Sequence, residues 1–140
     1  MSKIKILVNF ISSDGKVINP LLWKLIYYPD EKYSLTIFGD LMVRRAVGKS
    51  KVKIKNIRFL DLPGTRVPKS KWFFLLEAIK RNFLALFFIG KVSQGFDVVY
   101  SVSSVLDLVI FPFLVKLWRK EIVWVTVFDN VVPFTDPGNK

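Results

Sequence analysis

Five short stretches hold the residues of this chain that could do chemistry. They are Ser12-Ser13-Asp14-Gly15-Lys16, Gly39-Asp40, Asp61-Leu62-Pro63-Gly64, Ser101-Val102-Ser103-Ser104 and Asp129-Asn130. Each sets carboxylates, hydroxyls or amides directly after an apolar run. Asp, Ser and Gly also make turns and helix caps, and any single stretch reads more readily as turn chemistry. Five together favour a hydrophilic rim facing a ligand. The chain has no cysteine and no histidine. Disulfides, thiolate or imidazole metal sites, a Cys nucleophile and a Ser-His-Asp triad are thereby excluded, and no metal ligand is assigned. Chemistry is left to Asp, Glu, Lys, Tyr, Ser and backbone groups. The glycine and lysine of "SSDGK" do not have P-loop spacing, and no G-x-G-x-x-G occurs, which argues against both common nucleotide-binding loops.

The elements that would position these stretches follow from hydrophobic pattern and punctuation. "IKILVNF" (4–10), "YSLTIFGD" (33–40), "NIRFLDLPG" (56–64), "DVVYSVSS" (97–104) and "EIVWVTVFD" (121–129) read as strands, the third ending in a turn. Asn19 caps and Pro20 opens a helix, "PLLWKLIYY", that stops before Pro29. A short helix is expected at 41–47, one long helix over 69–94 and another over 105–120. Strands that alternate with helices and are mostly continuously apolar imply a parallel sheet covered on both faces. The expected fold is a Rossmann-like doubly wound α/β domain of about five parallel strands, occupying residues 1–140 as one unit. Ligands of such sheets bind at the carboxyl ends of the strands, where the five polar stretches fall.

The formal charge of +11 calls for an anionic partner: nucleic acid, a phosphorylated ligand or an anionic membrane. Between Leu41 and Leu60 stand Arg44, Arg45, Lys49, Lys51, Lys53, Lys55 and Arg58 with no acid among them. A solvated edge accounts for such a run, since lysines blunt strand pairing. The long helix, however, mixes Lys69, Lys71, Lys80 and Arg81 with Trp72, Phe73, Phe74, Phe83, Phe87 and Phe88, more apolar residues than one buried stripe needs. A basic helix with surplus aromatics suits an interfacial membrane contact or a second domain. Arg44, Arg45, Lys69, Lys71, Trp72, Lys80 and Arg81 are the candidate membrane residues. Specific nucleic-acid binding is disfavoured, because no known module is present and the aromatics sit in an apolar helix. The runs at 83–89 and 98–118 are respectively too short and too interrupted for a transmembrane span. The start "MSKIKILVNFIS" reads as a first strand rather than a signal peptide, pointing to a cytoplasmic chain.

"KIKILVNF", "FDVVYSVSSVLDLVIFPFL" and "KEIVWVTVFDNVVPF" together resemble the amino-terminal domain of GT-B glycosyltransferases, closest to the retaining, family 4-like enzymes that act on lipid or polysaccharide precursors. That resemblance implies an acceptor-binding half domain. A carboxyl-terminal Rossmann domain, on the same or a separate chain, would bind the nucleotide-sugar donor, and no cofactor would be held by this chain. It implies attachment to the inner face of the cell membrane through the helix at 69–91. It places Ser12, Ser13, Asp14, Gly15, Lys16, Ser101, Ser103, Ser104 and Asn130 toward substrate and makes Asp129 the candidate catalytic residue, with a turn cap as its other reading. Phe128 stands where the family often has His, so any role of that histidine is missing. Without a donor domain, no sugar transfer is expected. A membrane-peripheral or adaptor module without catalysis is the other reading of the same features, and a nucleic-acid-binding domain a weaker third.

Overall fold

The computed structural model describes residues 3–11, 32–40, 43–44, 57–63, 70–102 and 106–127. Within them, β1 (Ile4–Phe10), β2 (Tyr33–Gly39), β3 (Ile57–Asp61), β4 (Val98–Ser101) and β5 (Val123–Thr126) form one parallel sheet in the order β3-β2-β1-β4-β5. The helices are α1 (Lys71–Leu86), α2 (Ile89–Gly95) and α3 (Leu106–Trp118). This is the Rossmann-like layer the pattern predicts. The predicted helix after Pro20 lies outside the described residues. Of the one at 41–47, Val43 and Arg44 are described, and both are helical.

Strand alternation sorts the core into two layers. Leu7, Phe38 and Val99 pack on one face against Ala85, Val92, Phe111 and Val115 from the helices. Val8, Phe10, Leu35 and Ile37 pack on the other with Val43. The Phe38 ring sits between Phe88 and Phe111, with centroids 5.3 and 4.9 Å away. Each large side chain buried this way is worth roughly 1.5–3 kcal/mol. Gly39 is required by close approach: a Cβ there would lie 2.9 Å from the Phe10 carbonyl oxygen and 3.2 Å from Val43 Cγ2. Backbone cannot move aside cheaply, so Gly39→Ala is expected to cost about 1–3 kcal/mol in urea unfolding.

One buried polar residue interrupts the central strand. Asn9 is fully buried, and its Nδ2 donates to the Leu108 carbonyl at 2.7 Å. The reason lies in α3, which carries Pro112 in its interior. Proline has no N–H, so the carbonyl four residues earlier loses its helical partner. That carbonyl belongs to Leu108. Asn9 supplies the missing donor from another element.

The expected single helix at 69–94 is two helices, and this corrects the sequence reading. At Phe87 and Phe88 the N–H groups bond back three residues, to Leu84 and Ala85, at 3.3 and 2.9 Å, which tightens and ends α1. Phe88 then packs beside the core, and α2 buries Val92 and Ser93. Arg119, just past α3, donates to the Ser93 and Phe96 carbonyls and fixes the end of α2.

Ahead of that break α1 is fastened at Arg81, which meets Asp40 just past the carboxyl end of β2. Much of the rest of the helix is exposed: Trp72 is 78% exposed, and Phe73, Leu75, Leu76, Ile79, Phe83 and Phe87 are exposed as well.

Candidate functional site

The carboxyl rim of the sheet divides into two halves with different chemistry. At the β2–β3 half, Asp40 and Asp61 follow their strands as the sequence indicates. Asp40 Oδ1 accepts the Val43 N–H at 3.1 Å, capping the turn that follows β2. Asp40 Oδ2 faces Arg81 Nη1 at 3.4 Å, and Arg81 Nε lies 3.7 Å from Glu77 Oε2. The Arg81 side chain is 1% exposed and those of Asp40 and Glu77 are 8% and 12% exposed, so the three charges form a buried bridge from β2 to α1. Lys80 meets Glu77 at 3.3 Å. Arg44 pairs with Asp61 at 3.2 Å and lies over the Phe59 ring.

These contacts change the reading of the basic residues. Arg81 is not a surface cation: paired inside the protein, it cannot meet a membrane. Arg44 and Lys80 are about half exposed, but each is paired with a carboxylate. Lys116, in the last turn of α3, donates to the Lys120 and Ile122 carbonyls. Cations at a helix carboxyl end satisfy orphan carbonyls in this way. Part of the positive charge thus holds the fold together. Trp72 is where the sequence puts it, on an exposed helix, and Lys71 opens that helix. Arg45 and Lys69 lie outside the described residues.

At the β1–β4–β5 half the strand order reverses between β1 and β4, the place where open α/β sheets take ligands. Ser101 lies here, at the end of β4, but it is buried, and its Oγ accepts the Trp124 Nε1–H at 3.1 Å. The Val127 N–H bonds to the Ser101 carbonyl at 3.3 Å, drawing the ends of β4 and β5 together. Burial raises the Tyr100 phenol above its usual range, so it stays neutral. Ser12, Ser13, Asp14, Gly15, Lys16, Ser103, Ser104, Asp129 and Asn130 are outside the described residues. The strands that precede them in sequence, β1, β4 and β5, are neighbours in the sheet. Asn9, near the end of β1, was not among the expected site residues. Its Oδ1 has no hydrogen-bond partner among the described residues, and its signal was a lone amide in an apolar strand.

The described rim therefore has one half where Asp40 and Asp61 are both paired with arginine, and another where Ser101 is buried and bonded to Trp124. Among the described residues no cluster of His, Cys, Asp or Glu could hold a metal ion, and no helix is long and apolar enough to cross a membrane.

No protein-family model and no curated protein matches this chain. Among solved structures it is similar to a crystal structure of UDP-N-acetylglucosamine 2-epimerase, with a TM-score of 0.56 and 15% sequence identity. The likeness takes in 98% of this chain and 36% of that one, so the chain spans about a third of that enzyme's length. At this identity what is shared is the fold, the Rossmann-like layer read from strand and helix pattern.

Proposed function

We propose that this chain is the acceptor-side half of a GT-B-type, membrane-associated glycosyltransferase that moves a sugar from a nucleotide-sugar donor to a lipid or polysaccharide acceptor. The observation that carries the reading is a near full-length fold match to about a third of a nucleotide-sugar enzyme. The sheet order supports it, because β1, β4 and β5, the strands that the 12–16, 103–104 and 128–130 stretches follow in sequence, are adjacent. A second Rossmann domain, on this or another chain, supplies the donor site. Ser12, Ser13, Asp14, Gly15, Lys16, Ser103, Ser104 and Asn130 bind acceptor hydroxyls, and Asp129 contacts the reacting sugar. Ser101 supports the rim from beneath through Trp124.

The test is transfer by this chain joined to its donor domain. Asp129→Asn is expected to lower turnover at least tenfold, about 1.4 kcal/mol in barrier, with Tm unchanged. A fall in Tm with turnover kept would make Asp129 a turn cap, whose loss typically costs about 1 kcal/mol.

Attachment to the cytoplasmic face of the membrane is part of the proposal, and the exposed apolar face of α1 is its support. Trp72, Leu76, Ile79, Phe83 and Leu86 recur at helical spacing on one exposed stripe. Tryptophan and phenylalanine beside cations suit the boundary between headgroups and acyl chains. In liposome co-sedimentation, binding is expected to rise with anionic lipid and fall with salt. Trp72→Ser with Phe83→Ser should abolish it, whereas stronger binding to nucleic acid than to these vesicles would overturn the assignment.

A further inference from the structure

At the amino ends of β1, β2 and β3, opposite the rim, the structure holds a recess of about 690 Å³. Lys3 and Lys5 of the first strand line it, with Ser34 and Thr36 of the second, Arg58 of the third, and Phe96 beyond α2. The strands place these residues in register, Lys5 beside Ser34 and Thr36 beside Arg58. On this one face each strand turns from polar to apolar along its length, β1 one step ahead of its neighbours: Lys3 and Lys5 give way to Leu7, which lies beside Thr36, while Ser34 and Thr36 give way to Phe38, and Arg58 to Leu60. Parallel strands covered on both faces are apolar throughout. Here three adjacent strands are polar over one shared patch.

A surface kept polar only for solubility mixes both signs of charge. Among the described residues, the lining of this patch has three cations, two hydroxyls and no carboxylate. The nearest acid in sequence, Asp97, is engaged with the backbone: its Oδ2 accepts the Lys5 N–H at 2.8 Å, and its own N–H bonds to the Lys5 carbonyl. Guanidinium binds an oxyanion through two parallel N–H donors, and ammonium groups add point charge. Seryl and threonyl hydroxyls can donate to the remaining oxygens. The volume falls in the range of small-molecule sites, roughly 300–1,000 Å³, well above what one phosphate fills. Phe96 offers an apolar wall to the rest of the molecule.

We propose that this recess is a binding site for a phosphate-bearing organic ligand, separate from the rim. It does not rest on the glycosyltransferase reading, because it lies at the other end of the sheet and uses none of the same residues.

Calorimetric titration of the whole chain with inorganic pyrophosphate at low salt tests it. Saturable binding is expected. Arg58→Ala and Lys5→Ala should each weaken it at least tenfold. Thr36→Val, which leaves the charge unchanged, should weaken it several-fold. Lys120→Ala, removing an exposed cation from the turn before β5, should leave it intact. Circular dichroism of each variant establishes that the fold is kept. A second arm uses phosphatidylcholine vesicles doped with phosphatidic acid. Vesicle binding unchanged in Arg58→Ala assigns the phosphate to a soluble ligand, and vesicle binding lost together with pyrophosphate binding assigns it to a lipid headgroup. Absence of saturable pyrophosphate binding, or equal weakening by Lys120→Ala, overturns the site.

Discussion

Arg81→Ala is expected to cost about 3–5 kcal/mol, a large share of the roughly 5–15 kcal/mol that holds an ordinary domain folded. The loss comes less from the pairs broken than from what is left behind. Asp40 and Glu77 would remain almost out of water without the guanidinium between them, though Glu77 keeps Lys80. Arg81→Met together with Asp40→Asn should be less destabilised than Arg81→Met alone, since it removes one stranded charge and adds none. Urea unfolding followed by circular dichroism measures both. A loss below 1 kcal/mol for Arg81→Ala would mean that water reaches the bridge and that α1 is held by apolar packing alone.

The second large effect concerns two residues 103 positions apart in sequence, Asn9 and Pro112. Asn9→Leu keeps the size of the side chain but leaves the buried Leu108 carbonyl without a donor, at a cost of about 1–3 kcal/mol. Pro112→Ala returns an N–H to the helix, which competes with Asn9 for the same oxygen. In the double variant the restored helix N–H bonds to the Leu108 carbonyl and the introduced leucine side chain fills the space, so much of the loss should return. A coupling of about 0.5–3 kcal/mol between the two sites is the expected result. Strict additivity would show that Asn9 does not serve the proline gap.

Both effects illustrate what sequence patterns carry and what they do not. The five strands were legible because parallel strands buried on both faces are apolar runs of limited length, and "IKILVNF" and "YSLTIFG" have that form. The break at Phe87-Phe88 was not, because no Gly or Pro marks it. Two phenylalanines continue a helix as readily as they end one, and only packing of Phe88 on Phe38 decides between them. Arg81 has the same composition signature as Lys80, its neighbour. What separates them is Asp40, 41 positions earlier, and pairing at that range leaves no periodicity to read. Asn9 needs Pro112 for its explanation in the same way. The polar patch at the strand starts is local and can be seen directly in "KIKI", "YSLT" and "IRFL". It is noticed only once the register lines up the three strands. The candidate loops at the rim were found by a rule about strand ends, which names positions and not roles.

The place of β1 in the sheet has a consequence for how the chain acquires its structure. β1 is synthesised first but lies at the centre, and its two neighbours arrive far apart in time. β2 ends at Gly39, whereas β4 ends only at Ser101. At typical translation rates of about 5–20 residues per second, some 3–12 s separate them. During that interval the nascent chain can pair β1 with β2 on one side only. The other edge of β1, flanked by Leu7, Val8 and Phe10, stays open to any strand it meets. Contacts that must wait for a distant segment also slow folding after release. The demand on chaperones is thus set by strand order, and it falls on the central strand before α3, which packs against it, exists.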